Sequence, residues 1–342
     1  MGIIKLPKRK AKNALEDKHG RLQATVIMFS GCADDQQSAD VSNTSVIRKT
    51  TFKDSINGPG GAGGACTNSF LEVISQIAKH RKTAPTYSEI LMEMRIILKE
   101  KKFTQIPQLS SSHKLDLPNT RIEFIKAKGS GRTRALLVGI NYTGTSVALR
   151  GCHNDVQHMK QLLCSRGFSS HPDHMRVLVD DGAHPAPTRA AMVEALEWLA
   201  TDARNGDSLF LHFSGHGGRI RDDDGDEEDG YDETLYPSDF KTAGQLRDDF
   251  IYRKLVLKLP KGCQLLSIMD CCHSGTVLDL PFEFAASEVN CMKKLEKQKS
   301  VFMNKKESHD VSRCRMQSLQ QACAMAGLAV LAMTVKSVVS RK

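Results

Sequence analysis

The sequence predicts an α/β fold, a mostly parallel sheet with helices on both faces. Three observations carry that expectation. Between residues 135 and 269, short apolar, β-branched runs alternate with segments of helical periodicity, the pattern of strand–helix–strand units. Of the 342 residues, 40% are hydrophobic and 25% charged, an average globular composition that excludes collagen-like, mucin-like and wholly disordered chains. The most apolar run, Ala322–Val335, falls short of the roughly 20 residues a spanning helix needs, so no membrane span is expected.

A basic leader, residues 1–22, precedes the buried strand Ala24–Phe29. Asp34–Asp40 and the Gly-rich Gly58–Gly64 read as loops. Ala65–Lys79 and Tyr87–Lys101 carry helical periodicity, and Pro107–Ser110 suggests a short strand. This first block spans residues 23–124. Residues 125–134, with Gly129, Gly131, Lys126, Lys128, Arg132 and Arg134, read as a linker. The second block, residues 135–283, offers strands at Ala135–Ile140, Arg176–Asp180, Ser208–Phe213 and Gln264–Met269. Its helices are Asp155–Ser165 and, after Pro187, Thr188–Asp202. Residues 284–342 form a basic tail with an apolar C-terminal helix.

The 48 basic and 39 acidic residues leave a formal charge of +9. The cations gather in leader and tail without interleaved aromatics, so no nucleic-acid partner is expected. Ten cysteines occur without a Cys-x-x-Cys pair and without an apolar signal segment, which points to reduced thiols and a cytoplasmic location. Gly58-x-Gly60-x-x-Gly63 matches a dinucleotide fingerprint in letters only, because Pro59 lies inside it and no strand immediately precedes it. In the acidic tract Asp222–Glu233, counting back from Gly225 or Gly230 puts Ile220 or Gly225 at the first EF-hand ligand position, and both counts fail.

Two motifs stand at strand ends. Ser208–Phe213 runs into Ser214-Gly-His216-Gly-Gly, and Gln264–Met269 into Asp270-Cys-Cys272-His-Ser-Gly. In parallel strands both face one sheet edge, where α/β proteins place their chemistry. A His beside a Cys makes a thiolate–imidazolium pair, the imidazole taking the thiol proton and later protonating a leaving amine. Flanking glycines admit a substrate backbone and leave N–H groups to face an oxyanion.

These motifs resemble the two signatures of metacaspases, the caspase-like cysteine peptidases of plants, algae, fungi and protists. The resemblance extends to Ala135-Leu-Leu-Val-Gly-Ile-Asn-Tyr142, Leu149-Arg-Gly-Cys-His-Asn-Asp155 and Asp229-Gly-Tyr-Asp-Glu-Thr-Leu-Tyr-Pro-Ser-Asp239 of the large (p20) region. Phe29-Ser-Gly-Cys-Ala-Asp-Asp-Gln-Gln-Ser-Ala-Asp40, Gly64-Ala-Cys-Thr-Asn-Ser-Phe70 and Pro107-Gln-Leu-Ser-Ser-Ser-His113 resemble the small (p10) region. The p10-like block comes first, as in type III metacaspases. The resemblance implies a caspase-like (caspase–haemoglobinase) α/β fold in permuted order.

It also implies roles. His216 aligns with the general acid/base, Cys272 with the nucleophile and Cys271 with a bystander. The N–H groups of Gly217 and Cys272 would form the oxyanion hole. Asp155 and Asp270, with Cys152 and Ser214, would line an S1 pocket for Arg or Lys. Two carboxylates in a recess do favour a guanidinium, whereas an Asp-reading pocket would need arginines. Asp232, Asp248, Asp249 and Asp279 fall where the family binds Ca²⁺. The expected partners are protein or peptide substrates with Arg or Lys at P1, cut by a monomer. Self-cleavage, if any, is expected at Lys126, Lys128, Arg132 or Arg134, or in the tail between Lys293 and Lys306. The rivals are a catalytically idle calcium-responsive interaction protein, opposed by the intact His216 and Cys272, and a transpeptidase or ligase using the same dyad.

Overall fold

The structure, a computed structural model, describes residues 22–31, 40–41, 63–126, 131–221, 230–271 and 277–285. The leader up to residue 21 and the tail from residue 286 lie outside the described residues. In chain order the first block forms β1 (Thr25–Ser30), β2 (Asp40–Val41), β3 (Gly63–Gly64), α1 (Ala65–His80), α2 (Tyr87–Glu100) and β4 (Gln108–Ser111). There follow β5 (Thr133–Gly139), α3 (Cys152–Ser165), β6 (Met175–Val179), α4 (Arg189–Ala200), β7 (Ser208–Ser214), β8 (Gly217–Arg221) and β9 (Tyr231–Leu235). The last elements are α5 (Phe240–Ala243), β10 (Leu246–Arg247), α6 (Asp248–Lys254), β11 (Gln264–Asp270) and β12 (Phe282–Ala285).

Seven strands make one sheet in the order β12-β4-β1-β11-β7-β5-β6. The five from β1 to β6 in that order run parallel, while β4 and β12 are antiparallel to their neighbours. The predicted mostly parallel sheet with flanking helices is what the chain forms. Both blocks share it: β1 pairs with β11 from Thr25 opposite Gln264 to Ser30 opposite Met269.

Strand β7 is buried along its whole length, as a central strand covered on both faces should be. Alternation sends Leu209, Leu211 and Phe213 to one face, in a core with Met192 and Leu196 of α4 and Ile251 and Tyr252 of α6. On the other face Phe210 stacks with Phe124 and meets Phe168 edge-on, and Phe29 packs on Phe70 of α1 at 5.3 Å. Each such side chain taken from water contributes about 1.5–3 kcal/mol.

Helix starts follow two routes. Thr86 and Glu89 cap α2 reciprocally, Glu89 N–H donating to Thr86 Oγ1 and Thr86 N–H to Glu89 Oε2. Helix α1 has no side-chain cap from its own N-cap residue, Gly64; its caps come from the second block, as shown below.

The structure moves two predicted boundaries. Thr133 and Arg134 already belong to β5, so the linker is shorter than residues 125–134. Strand β12 crosses the expected limit at residue 283 because its four residues pair with Ser111–Gln108. The small antiparallel sheet β10-β9-β8 was not anticipated. Arg134 is fixed in β5 with its guanidinium on the Trp198 and Thr201 carbonyls, and Arg132 is paired with Asp207. A cut at either would first have to break these contacts. Lys128 lies outside the described residues. Among the described residues, no helix is long and apolar enough to cross a membrane.

Candidate active site

Strands β5, β7 and β11 end level: Gly139 lies beside Ser214, and Ser214 beside Asp270. His216 follows Ser214 by two residues, and Cys272 follows Asp270 by two. Cys272 itself lies outside the described residues. Cys271 is buried at the end of β11, and Gly217 opens β8 opposite Leu235.

His216 is held on several sides. Its Nε2 lies 2.7 Å from the Val147 carbonyl oxygen. A carbonyl can only accept, so Nε2 carries the proton and Nδ1 is left as the basic nitrogen. The His216 N–H donates to Tyr142 Oη at 3.0 Å, and its carbonyl accepts from Tyr236 N–H at 3.1 Å. The Tyr142 ring lies 4.8 Å from the imidazole, centroid to centroid. Gly215 sits in a tight place, since a Cβ there would lie 3.0 Å from the Phe213 ring and 3.1 Å from Tyr142 Oη, and a neighbour would have to give by a few tenths of an ångström.

The expected S1 carboxylates also meet, together with a partner from the other block. Asp155, in the first turn of α3 and fully buried, accepts from Ser214 Oγ at 2.7 Å and Gly64 N–H at 2.8 Å on Oδ2. Its Oδ1 accepts from Asn68 Nδ2 at 3.3 Å. Asp270 Oδ2 accepts from Thr67 N–H at 2.6 Å. The positive end of α1 thus sits on both carboxylates, which favours their ionised form. Cys152, the first residue of α3, is buried nearby, its N–H donating to Asn141 Oδ1. A Cβ on Gly139 would come within 2.6 Å of the Cys152 carbonyl, so strand and helix approach closely there.

Of the four expected Ca²⁺ ligands, Asp232 lies on β9, Asp248 and Asp249 in the first turn of α6, and Asp279 before β12, and among them Asp248 and Asp279 lie near enough for their charges to interact. All four are buried. Asp248 accepts from the N–H groups of Asp249 and Glu233. Burial and the neighbouring Asp279 charge push its carboxyl up to about 10. Arg247 pairs with Asp232 and Arg253 with Asp249, both at 2.9 Å. Among the described residues, no three His, Cys, Asp or Glu side chains already form a group able to hold a metal ion. The chemistry fits a hard cation, because the donors are all oxygens and their mutual repulsion is what a divalent ion removes. The arrangement is not a ready-made cage.

Sequence reasoning missed Gly64, Thr67, Asn68, Val147 and Glu233. Val147 acts through its carbonyl, which no side-chain motif can signal. Glu233, buried beside Asp248, ends an acidic tract in which no spacing sets it apart.

Two family models match in tandem. A caspase domain model covers residues 4–117, and a model described as "Metacaspase, peptidase C14 domain" covers residues 133–281. Metacaspase III c of Phaeodactylum tricornutum is 44% identical over 290 residues, 84% of this chain and 82% of that one. Metacaspase-1 of Meyerozyma guilliermondii is 47% identical over 173 residues, 50% of this chain and 42% of its own. Metacaspase-1B of Aspergillus oryzae is 49% identical over 162 residues, 47% of this chain and 38% of its own. The chain therefore spans less than half the length of these two fungal relatives. The p10-before-p20 order agrees with the order in which the two models match. Likeness of this strength, sustained through both blocks, makes the chain a member of the metacaspase family of cysteine peptidases.

Proposed function

We propose that this metacaspase is a calcium-dependent endopeptidase that cleaves after Arg or Lys through a His216/Cys272 dyad. One observation supports the proposal: Ser214 lies beside Asp270 at the ends of neighbouring strands, and in sequence His216 and Cys272 each follow two residues later. With Nε2 engaged by the Val147 carbonyl, Nδ1 is the nitrogen left to take the Cys272 proton. The thiolate attacks the scissile carbonyl carbon, and the oxygen takes up the negative charge facing the N–H groups of Gly217 and Cys272. Collapse breaks the C–N bond, the imidazolium giving its proton to the departing amine. Water, deprotonated by His216, then hydrolyses the thioester and restores the thiol.

P1 selection is assigned to Asp155 and Asp270, with Ser214 and Cys152 beside them. Backbone and amide donors hold these carboxylates from the α1 side, and a P1 guanidinium or ammonium is the group whose charge and hydrogen bonds match two carboxylates. Ca²⁺ would be held by Asp232, Asp248, Asp249 and Asp279, where it would take the place of the Arg247 and Arg253 pairings and supply the charge that lets Asp248 ionise beside Asp279. A monomeric, cytoplasmic enzyme acting on protein substrates belongs to the same proposal, supported by the absence of disulfides among the five described cysteines. The test is hydrolysis of fluorogenic peptides ending in Arg, Lys or Asp, with and without Ca²⁺. Turnover of the Asp peptide alone, or equal turnover in chelator, would sink the corresponding part.

A further inference from the structure

The loop that follows β5 does more than connect it to α3. Tyr142 lies in this loop with φ +49°, a left-handed conformation that a bulky residue holds only where its surroundings impose it. The ring is buried, and the surroundings are those of His216. Tyr142 Oη accepts from the His216 N–H and donates to the Tyr236 carbonyl at 2.6 Å. Tyr236 N–H in turn holds the His216 carbonyl. The phenol thus holds the His216 N–H directly and its carbonyl through Tyr236, while its ring supports the imidazole. Burial raises the phenol's pKa above its ordinary value, so the group stays a neutral donor.

The same loop reaches the imidazole edge. Thr145 Oγ1 donates to the Tyr142 carbonyl at 2.7 Å and accepts from the Val147 N–H at 3.3 Å. The Val147 carbonyl is the partner of His216 Nε2. Leu149 N–H closes the loop on the Asn141 carbonyl at 2.7 Å. Face and edge of the imidazole are therefore set by one turn, clasped at Thr145.

We infer that Tyr142 and Thr145 are positioning residues for His216: Tyr142 holds its backbone and ring face, and Thr145 fixes the Val147 carbonyl that selects its tautomer. This rests on the proposed dyad. Neither residue touches the reacting atoms, so the effect belongs to kcat rather than KM.

The experiment uses the full chain with Ca²⁺ and an Arg-ending fluorogenic peptide. It is paired with iodoacetamide alkylation of Cys272, located by peptide mass mapping, and with thermal melts. Tyr142→Phe keeps the ring and removes the hydroxyl; it should lower kcat and the alkylation rate by roughly 10- to 100-fold, with KM within about twofold. Thr145→Val should lower both by a smaller factor, roughly 3- to 10-fold, and serves as the deciding variant should Tyr142→Phe fail to fold. Wild-type kcat and alkylation in a folded Tyr142→Phe, or a loss carried by KM, would overturn the inference. His216→Ala separates the two levels. If it leaves alkylation and turnover at wild-type values, the dyad is wrong; if it abolishes both while the positioning variants stay wild-type, the dyad stands and this inference falls.

Discussion

Replacing Gly64 with alanine tests how the two blocks jointly build the S1 carboxylates. Gly64 has φ −69° and ψ 142°, a conformation open to any residue, so backbone strain plays no part. Space does: an added Cβ would lie 2.1 Å from Asp270 Oδ2 and 2.4 Å from its Cγ, against an ordinary separation of roughly 3.5 Å. Asp270 must retreat by more than an ångström, yet it ends a central strand and is held by Thr67 N–H at 2.6 Å. Overpacking costs about 1–3 kcal/mol, and losing a hydrogen bond to a charged group about 1.5–3 kcal/mol. Gly64→Ala should therefore destabilise by roughly 2–5 kcal/mol, a melting point some 5–15 °C lower. Hydrolysis of an Arg peptide should fall by about 100-fold, since the misplacement is near 1 Å. The double-mutant cycle with Asp270→Ala is the sharper assay, because in that background the clash is gone and the alanine should cost little more, a coupling of about 2 kcal/mol. Equal cost of Gly64→Ala in both backgrounds would refute the packing argument.

Three further predictions use the same geometry. Asp155→Asn keeps the shape and an acceptor for Gly64 N–H, so it should fold but lose roughly 2–5 kcal/mol of transition-state binding for Arg and Lys peptides; normal kcat/KM would remove Asp155 from the pocket. Cys272→Ala should be inactive, whereas Cys271→Ala, which trims a buried side chain, should cost about 1 kcal/mol of stability and keep most activity; the reverse pattern in peptide assays and melts would reassign the nucleophile. His212 is fully buried and desolvation lowers its pKa to about 3, so it is neutral in the fold while the unfolded chain binds a proton below the ordinary histidine value of about 6.5. Its contribution is complete above that pH and erodes as pH falls toward 3, by up to about 5 kcal/mol. His212→Gln should flatten the melting curve against pH between 7 and 4.5, and an unchanged slope would assign the acid loss elsewhere.

Much of the sheet was legible because its strands are buried on both faces and read as continuous apolar runs, as in Ser208–Phe213 and Gln264–Met269. Strand β9 escaped notice because its consecutive residues Asp232 and Glu233 are both buried though charged, Asp232 paired with Arg247 of β10 and Glu233 with Arg219 of β8. Strand β12 was cut short because four residues carry no readable period, and only the register with β4 defines them. The site divides in the same way. His216, Asp155 and Asp270 were visible as local motifs. Thr67, whose N–H reaches an acceptor 203 residues away, and Gly64, whose small size matters only against Asp270, could not be seen in any window of sequence.

That long-range contact also accounts for why the permuted order is tolerated. A sheet's stability rests on its pairings, and chain order enters through loop closure, which changes slowly with loop length. In the order where p20 precedes p10, the chain must return from β12 to β1. These strands are separated by β4, about 10 Å at the usual spacing. Ala285 is level with Ser30 through Gln108, so the return to Thr25 runs back a further five residues, roughly 17 Å along the strand. In the present order the junction starts beside its destination: Lys126 N–H is bonded to Ser208 Oγ, and Ser208 lies opposite Thr133, the first residue of β5. Six residues, 127–132, separate Lys126 from Thr133 along the chain. Either order therefore needs only a connection of modest span, and both leave β1 on β11 and α1 on Asp155 and Asp270. Those contacts, rather than the order of the blocks, place the p10-like helix start against the S1 carboxylates.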